Sequence, residues 1–225
     1  MSFISSNIEQ IVNVLGSVVL IVCAVLVFMK RDWQNNDIRL FARGFFGVAL
    51  LGDTYWALYT LVFGVNPQYF YGAELAWLAE EIFLLLLVIE LYSKEGLEAI
   101  HPGGWVIPAI IALLTGWFII ESGDPVFNVL MGFTMAGIAL FACSGLFRAK
   151  KDAQKGIKRH TGLYSAAIAF VVSEYAMWSI SIVNDASDIT NPYYLFSILM
   201  YVSLLMIALA VRKLDVTPVL NGDDA

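Results

Sequence analysis

Residues 23–39 read CAVLVFMKRDWQNNDIR, and residues 143–159 read CSGLFRAKKDAQKGIKR. Each begins apolar and ends in a basic, polar run, the pattern of a membrane helix emerging into a loop. Set 120 positions apart, they place Cys23 on Cys143, Leu26 on Leu146, Lys30 on Lys150, Asp32 on Asp152, Gln34 on Gln154 and Arg39 on Arg159. With Ala49 on Ala169 and Tyr55 on Tyr175, eight of thirty-three positions are identical. A shift of five residues then aligns Asn66-Pro67-Gln68-Tyr69 with Asn191-Pro192-Tyr193-Tyr194. The matched charges lie in polar loops, where apolar bias does not generate matches, so the pattern reads as internal duplication. Such a repeat identifies which helices are counterparts and directs attention to the interface between them.

Working outward, the 225 residues are 60% hydrophobic and 14% charged, with a positive mean hydropathy. A soluble domain is nearer about a quarter charged. Backbone polar groups in lipid must be satisfied within the segment, so long apolar runs mean helices, and a span needs about 20 residues. Seven such runs are predicted, near 8–29, 40–63, 73–92, 105–121, 126–147, 161–183 and 193–213. All thirteen Lys and Arg residues fall at alternate connections, while the loops around Asn66, Asp124 and Asp185 to Asp188 carry none. The positive-inside rule then predicts the N-terminus outside and the C-terminus in the cytoplasm.

The expected fold is all-α: one polytopic domain of seven transmembrane helices over 1–225, lying in the lipid bilayer of the cytoplasmic membrane. Repeat 1 covers about 8–92, a connector helix 105–121 and repeat 2 about 126–213, followed by a short acidic cytoplasmic tail at 214–225. With three helices per repeat and a single connector, both copies cross in the same direction, a parallel 3+1+3 arrangement. The opening MSFISSNIEQ lacks a basic n-region and a cleavage pattern, so the first span is expected to be retained. The net charge of −6 speaks against a nucleic-acid binder. Cys23 and Cys143 lie within spans and read as packing residues rather than a disulfide. In the sixth span, Ser165, Ala169 and Ser173 form a small-residue stripe suited to close helix packing.

Charged side chains deep in a span are costly and are functional hypotheses by default. Asp53, Glu80, Glu81 and Glu174 qualify, with Glu90 near the inner end of the third span, and no Lys or Arg lies at comparable depth. Helical rise puts Asp53 and Glu174 roughly 20 Å above the cytoplasmic ends of their helices, and Glu80 and Glu81 roughly 10 Å below the outer end of theirs. In a core about 30 Å thick that is one level, in the outer half. Aromatic residues share the layer: Tyr55, Trp56 and Tyr59, then Trp77, Tyr175, Trp178 and Tyr201. Carboxylates among aromatic faces suit an organic cation. The same acids, without basic partners in a low dielectric, also suit proton transfer. A purely structural role, hydrogen-bonded to Tyr, Thr54 or Ser173, stays open beside these. Adjacent helix positions differ by about 100°, so spacing leaves open which of Glu80 and Glu81 faces inward.

His101 and His160 both lie in cytoplasmic loops, so no bis-His haem is expected. No HExxH, GxSxG or P-loop occurs, no metal site is expected, and nothing argues for an enzyme. The basic loop 148–160 reads as a positive-inside anchor and as a candidate docking point for a cytoplasmic partner.

The order of seven short-looped helices resembles the microbial rhodopsins, and the 3+1+3 plan is shared with the SWEET and PQ-loop transporters. The last span, NPYYLFSILMYVSLLMIALAVRK, is similar to a rhodopsin seventh helix, with Tyr201 in the acid's place, Val202-Ser203 matching and Leu205 where the retinal lysine stands. In WLAEEIFLLLL, similar to a rhodopsin third helix, Ala76 occupies the counter-ion position; Trp178 falls where the family has a retinal-sandwiching tryptophan. No lysine lies within any span, so the resemblance implies no covalent retinal. The Pro-Gln pairs of PQ-loop proteins are missing from spans 1 and 5.

The leading functional expectation is a carrier of a small cationic or polar solute, with acids available for proton coupling and a pocket in the outer half of the bilayer. Its ligand- or proton-binding residues are expected to be Asp53, Glu80, Glu81, Glu174, Tyr55, Trp77, Tyr175, Trp178 and Tyr201. Two alternatives stand beside it: a retinal-free, rhodopsin-like sensor signalling to a cytoplasmic partner, and a structural subunit of a membrane complex.

Overall fold

The computed structural model describes residues 3–63, 72–97, 99–122, 125–155, 157, 159–183 and 191–214. Among the described residues there are seven α-helices and no strand: α1 (Phe3–Phe28), α2 (Asn36–Phe63), α3 (Gly72–Lys94), α4 (Val106–Ser122), α5 (Pro125–Ala153), α6 (Thr161–Val183) and α7 (Pro192–Arg212). A single 3₁₀ turn, Pro102–Trp105, leads into α4. Residues 66–69, the first half of the Asn-Pro echo, and the tail from 215 onward lie outside the described residues.

Local chemistry sets several helix ends. The Asn35 side chain accepts from the backbone N–H groups of Asp37 at 2.8 Å and Ile38 at 3.1 Å, satisfying donors that the first turn of α2 leaves open. Asn191 does the same for Tyr193 at 2.9 Å, with Pro192 preset for the first helical position of α7. Beyond α3, Gly96 takes φ +67°, a left-handed conformation that turns the chain back so that Leu97 N–H reaches the Tyr92 carbonyl at 3.2 Å. Helix α5 runs past its apolar stretch to Ala153, carrying Arg148, Lys150 and Lys151 on its last turns, where cations favour a helix C-terminus.

Six helices are long and apolar enough to cross a membrane, which gives the chain the make-up of a multi-pass membrane protein. Helix α3 is not among them, because Glu74, Glu80, Glu81 and Glu90 are spread along its 23 residues. The outer surface is apolar: Leu61, Leu113, Ile120 and Phe133 are each more than three-quarters exposed. Patches of this kind are rare on soluble monomers and suit lipid.

Helix α1 packs between α2 and α7, α2 against α3, α3 against α5, α5 against α6, and α6 against α7, so six helices close a ring. Helix α3 also touches α6 across the ring, while α4 packs against α5, with a lesser contact to α6. One half of the interior is filled by side chains such as Phe45, Phe46, Phe170, Leu84, Leu87 and Ile207, with Phe45 edge-on to Phe46 and to Phe170 at centroid distances of 4.7 and 5.9 Å. Cys23 and Cys143 are buried free thiols. The expected stripe on the sixth span is met in part: Ser173 is buried and Ala169 half-buried, but Ser165 is exposed, and Ala166 and Ala167 are the fully buried small residues at that end.

The end of the ring that carries the basic residues is tied by polar contacts. Lys30, itself buried, donates to the Leu214 carbonyl at 3.1 Å, and Arg43 donates to the carbonyls of Phe28 at 3.0 Å and Lys30 at 3.2 Å. Glu95, buried just past α3, accepts from the His160 backbone N–H at 2.8 Å and the Tyr164 hydroxyl at 3.0 Å, and its carboxylate lies 3.0 Å from His160 Nδ1. Arg159 pairs with Asp152 at 2.7 Å and donates to the Glu95 carbonyl. Glu90, expected near this end, meets Lys94 at 3.5 Å and Asn35 at 3.4 Å.

Candidate functional site

In the other half of the ring, α1, α2, α3, α6 and α7 enclose a cavity of about 240 Å³. Its floor is the apolar core, at Leu20, Ala49, Phe170 and Leu204. Its wall extends to Ser181 and Tyr193, at the end of the ring away from the basic residues. Asp53, Glu80 and Glu174 line it from three different helices, and the lining residues include no Lys, Arg or His.

Each acid is held differently. Asp53 accepts from the Ser17 hydroxyl of α1 at 2.5 Å. Glu80 and Glu174 are both buried, and one Glu174 oxygen, Oε2, has no hydrogen-bond partner. The aromatic part of the wall is built from Trp56 and Trp77, whose rings lie 5.5 Å apart, together with Trp178 and Tyr201. Trp178 is backed by Phe127 of α5 at 5.8 Å. The Tyr201 ring reaches the wall because α1 carries Gly16 opposite it: a Cβ there would fall 2.5 Å from the ring.

Of the nine expected site residues, six line this cavity: Asp53, Glu80, Glu174, Trp77, Trp178 and Tyr201. The other three are placed elsewhere. Glu81 turns away from the cavity toward α5, where its Oε2 accepts from the Thr134 hydroxyl at 2.6 Å and its Oε1 has no partner. Tyr175 stands behind Glu174, hydroxyl to hydroxyl with Thr115 of α4 at 2.9 Å, beside a small void of about 10 Å³ that Glu174 and Trp178 also border. Tyr55 packs on Tyr59 at 5.9 Å, outside the cavity wall. The cause is common to all three: a step of one or two residues from a lining acid turns a helix by about 100–200°.

Asn13, Ser17, Met177, Ser181, Tyr193 and Met200 were not expected at the site; all but Ser17 line the cavity, and Ser17 holds Asp53. Asn13 and Ser17 had a signal, polar side chains within the first predicted span, and Tyr193 opens the last one. Leu204 lines the cavity, whereas Leu205, at the position that matches a retinal lysine, is 36% exposed. Among the described residues no group of three or more His, Cys, Asp and Glu side chains is placed to hold a metal ion.

Comparisons of the chain with protein-family models, with curated proteins and with solved structures return no match.

Proposed function

We propose that this protein is a carrier of a small organic cation, resident in the cytoplasmic membrane, with seven crossings, its N-terminus outside and its C-terminus inside. The observation that carries this reading is the cavity: three carboxyl groups and six aromatic rings converge on about 240 Å³ without a basic residue in the lining. Carboxylates supply charge and Trp and Tyr faces supply a surface for an alkylammonium. The three acids do not converge as metal ligands, which favours an organic cation over a metal ion.

The orientation rests on the clustering of basic residues at one end of the ring. Helix α3 counts as the seventh crossing because it stands within the ring, and its acids face protein: Glu80 and Glu81 are buried. The parallel repeat is supported by the ring itself. Exchanging α1, α2, α3 for α5, α6, α7 turns each neighbour pair into another: α1 with α2 into α5 with α6, α2 with α3 into α6 with α7, α3 with α5 into α7 with α1. Burial follows the same exchange. Ala42, Phe45, Phe46 and Ala49 correspond to Leu163, Ala166, Ala167 and Phe170, 121 residues on, and every one is at most 2% exposed. Leu84, Leu87, Val88 and Leu91 correspond likewise to Leu204, Ile207, Ala208 and Val211, 120 residues on. In this register Glu174 is the counterpart of Asp53, one residue from the loop-based alignment.

A cavity that reaches one end of the ring, closed beneath by apolar core and polar ties, is the arrangement of a carrier open to one side. The test is uptake of tetraethylammonium into proteoliposomes. Accumulation is expected with the wild type and is lost in Asp53→Asn and Glu174→Gln. Saturable binding with no flux would replace the carrier with the sensor reading, and unchanged flux in both variants removes these acids from the mechanism.

A further inference from the structure

The cavity accounts for Asp53, Glu80 and one side of Glu174, but leaves Glu81 without a task. Glu81 is 1% exposed, is turned from the cavity toward Thr134 of α5, and has one carboxyl oxygen without a hydrogen-bond partner. Glu174 likewise keeps one oxygen unpartnered, and it borders both the cavity and the small void behind it. Glu81 and Glu174 lie within electrostatic reach of each other, and Glu80 lies within reach of both. Two ionised carboxylates here would be uncompensated charges in an apolar interior, since no Lys or Arg stands at this level of α3, α5 or α6. Either protons or a positively charged guest must balance them.

The groups that face Glu81 are few. From α5 comes Thr134, whose hydroxyl donates to Oε2; from α6 come Glu174 and Tyr175; from its own helix comes Glu80, which Asp53 of α2 reaches in turn. Thr134 matters because its single hydroxyl proton can turn to an ionised Glu81 Oε2 at 2.6 Å, or to the Met131 carbonyl at 2.9 Å when Glu81 itself carries the proton. Glu81 is therefore fitted both to carry a proton and to release it.

We infer that Glu81 is the proton-exchanging group of the carrier, placed behind the cation-binding wall and connected to it through Glu174. The inference rests on the carrier reading. When a monovalent cation enters among Asp53, Glu80 and Glu174, its positive charge allows the cluster one more ionised carboxylate. The O–H bond of Glu81 breaks, the electron pair stays on the carboxylate beside the Thr134 hydroxyl, and the proton passes by way of the Glu174 carboxyl to solvent at the cavity mouth. One cation enters and one proton leaves, so the charge of the cluster is unchanged. Departure of the cation reverses each step. Solute recognition and proton storage are thereby divided between consecutive residues, Glu80 toward the cavity and Glu81 away from it.

The test is calorimetric titration of tetraethylammonium into the purified full chain, in buffers of different ionisation enthalpy, which counts protons released on binding. The wild type is expected to release about one proton per cation near neutral pH, a direct linkage effect. Glu81→Gln is expected to release none and, lacking the carboxylate that balances the bound charge, to bind the cation about tenfold more weakly near neutral pH. Glu81→Asp, which keeps a carboxyl group, is expected to retain the release and controls for folding. Should the Gln variant not fold, Thr134→Val withdraws the hydroxyl and is expected to cut the release at neutral pH by at least half. Undiminished release from Glu81→Gln, or from Thr134→Val where that variant is the one used, overturns the inference and leaves the cation site standing. An affinity deficit of Glu81→Gln relative to the wild type that persists undiminished at low pH, where the wild-type carboxyl keeps its proton, also overturns it, because Glu81 then belongs to the cation site. Absence of tetraethylammonium binding to the wild type overturns the carrier reading and this inference with it.

Discussion

Lys30 Nζ donates to the backbone carbonyl of Arg212 at 2.9 Å, so the end of the first helix caps the end of the last. The ammonium also stands 5.0 Å over the Trp33 ring. The lysine aligned with it 120 positions on, Lys150, is exposed on α5.

That difference makes a paired prediction. Lys30→Met strands the carbonyls of Arg212, the last residue of α7, and of Leu214 just past it, and is expected to lower stability by about 1–3 kcal/mol. Lys150→Met is expected to stay within about 0.5 kcal/mol of the wild type. Thermal unfolding in detergent, followed by circular dichroism, measures both; equal effects would mean that the cap contributes nothing.

Glu95 is the acceptor on which the other half of the basic end depends. Glu95→Ala leaves the fully buried Tyr164 hydroxyl without a partner, at an expected cost of about 1–3 kcal/mol. Tyr164→Phe removes donor and demand together and is expected to cost less. If the Phe variant proves the less stable of the two, the hydrogen bond is not what Glu95 provides.

Gly16→Ala sets a methyl group against the Tyr201 ring. Overpacking of this kind costs about 1–3 kcal/mol and displaces the ring from the cavity wall. Tetraethylammonium affinity should fall about tenfold for each 1.4 kcal/mol of binding energy lost. Adding Tyr201→Leu to Gly16→Ala is expected to restore stability but not affinity, which separates the fold from the site.

Trp77→Leu and Trp178→Leu each remove one ring face from the cavity wall. The expected loss is about 0.5–2 kcal/mol, or roughly 2- to 30-fold in affinity for tetraethylammonium. Trp→Phe at either position should lose less. Affinity for a neutral solute of the same shape serves as the control, and an equal loss there would reduce the rings to apolar lining.

The positions of the helices were legible because lipid imposes one rule on every span: enough apolar residues to cross, with the backbone satisfied inside the segment. The prediction of a span at 193–213 meets α7 at Pro192–Arg212, and 161–183 meets α6 at Thr161–Val183. The level of the acids was legible too, because rise per residue is constant in a helix, and Asp53, Glu80 and Glu174 do line one cavity. Azimuth was not. Nothing in the residues themselves separates Glu80 from Glu81, and only the packing of α3 against α5 decides it. The repeat register slipped for a related reason. Loop identities such as Lys30 with Lys150 fix an alignment of loops, while burial inside the helices follows which face meets the ring. There Thr54, expected to oppose Glu174, is exposed, and Asp53 takes that place.

The absence of a basic side chain from the cavity lining has a practical corollary. Carboxyl groups buried without a basic partner cost stability when ionised, and a cationic guest offsets that cost. Ligand that binds only the folded chain adds about 2.7 kcal/mol at a hundred times its dissociation constant. A melting curve thus becomes a test of the proposed cation site: a library of amines can be ranked by how far each delays unfolding.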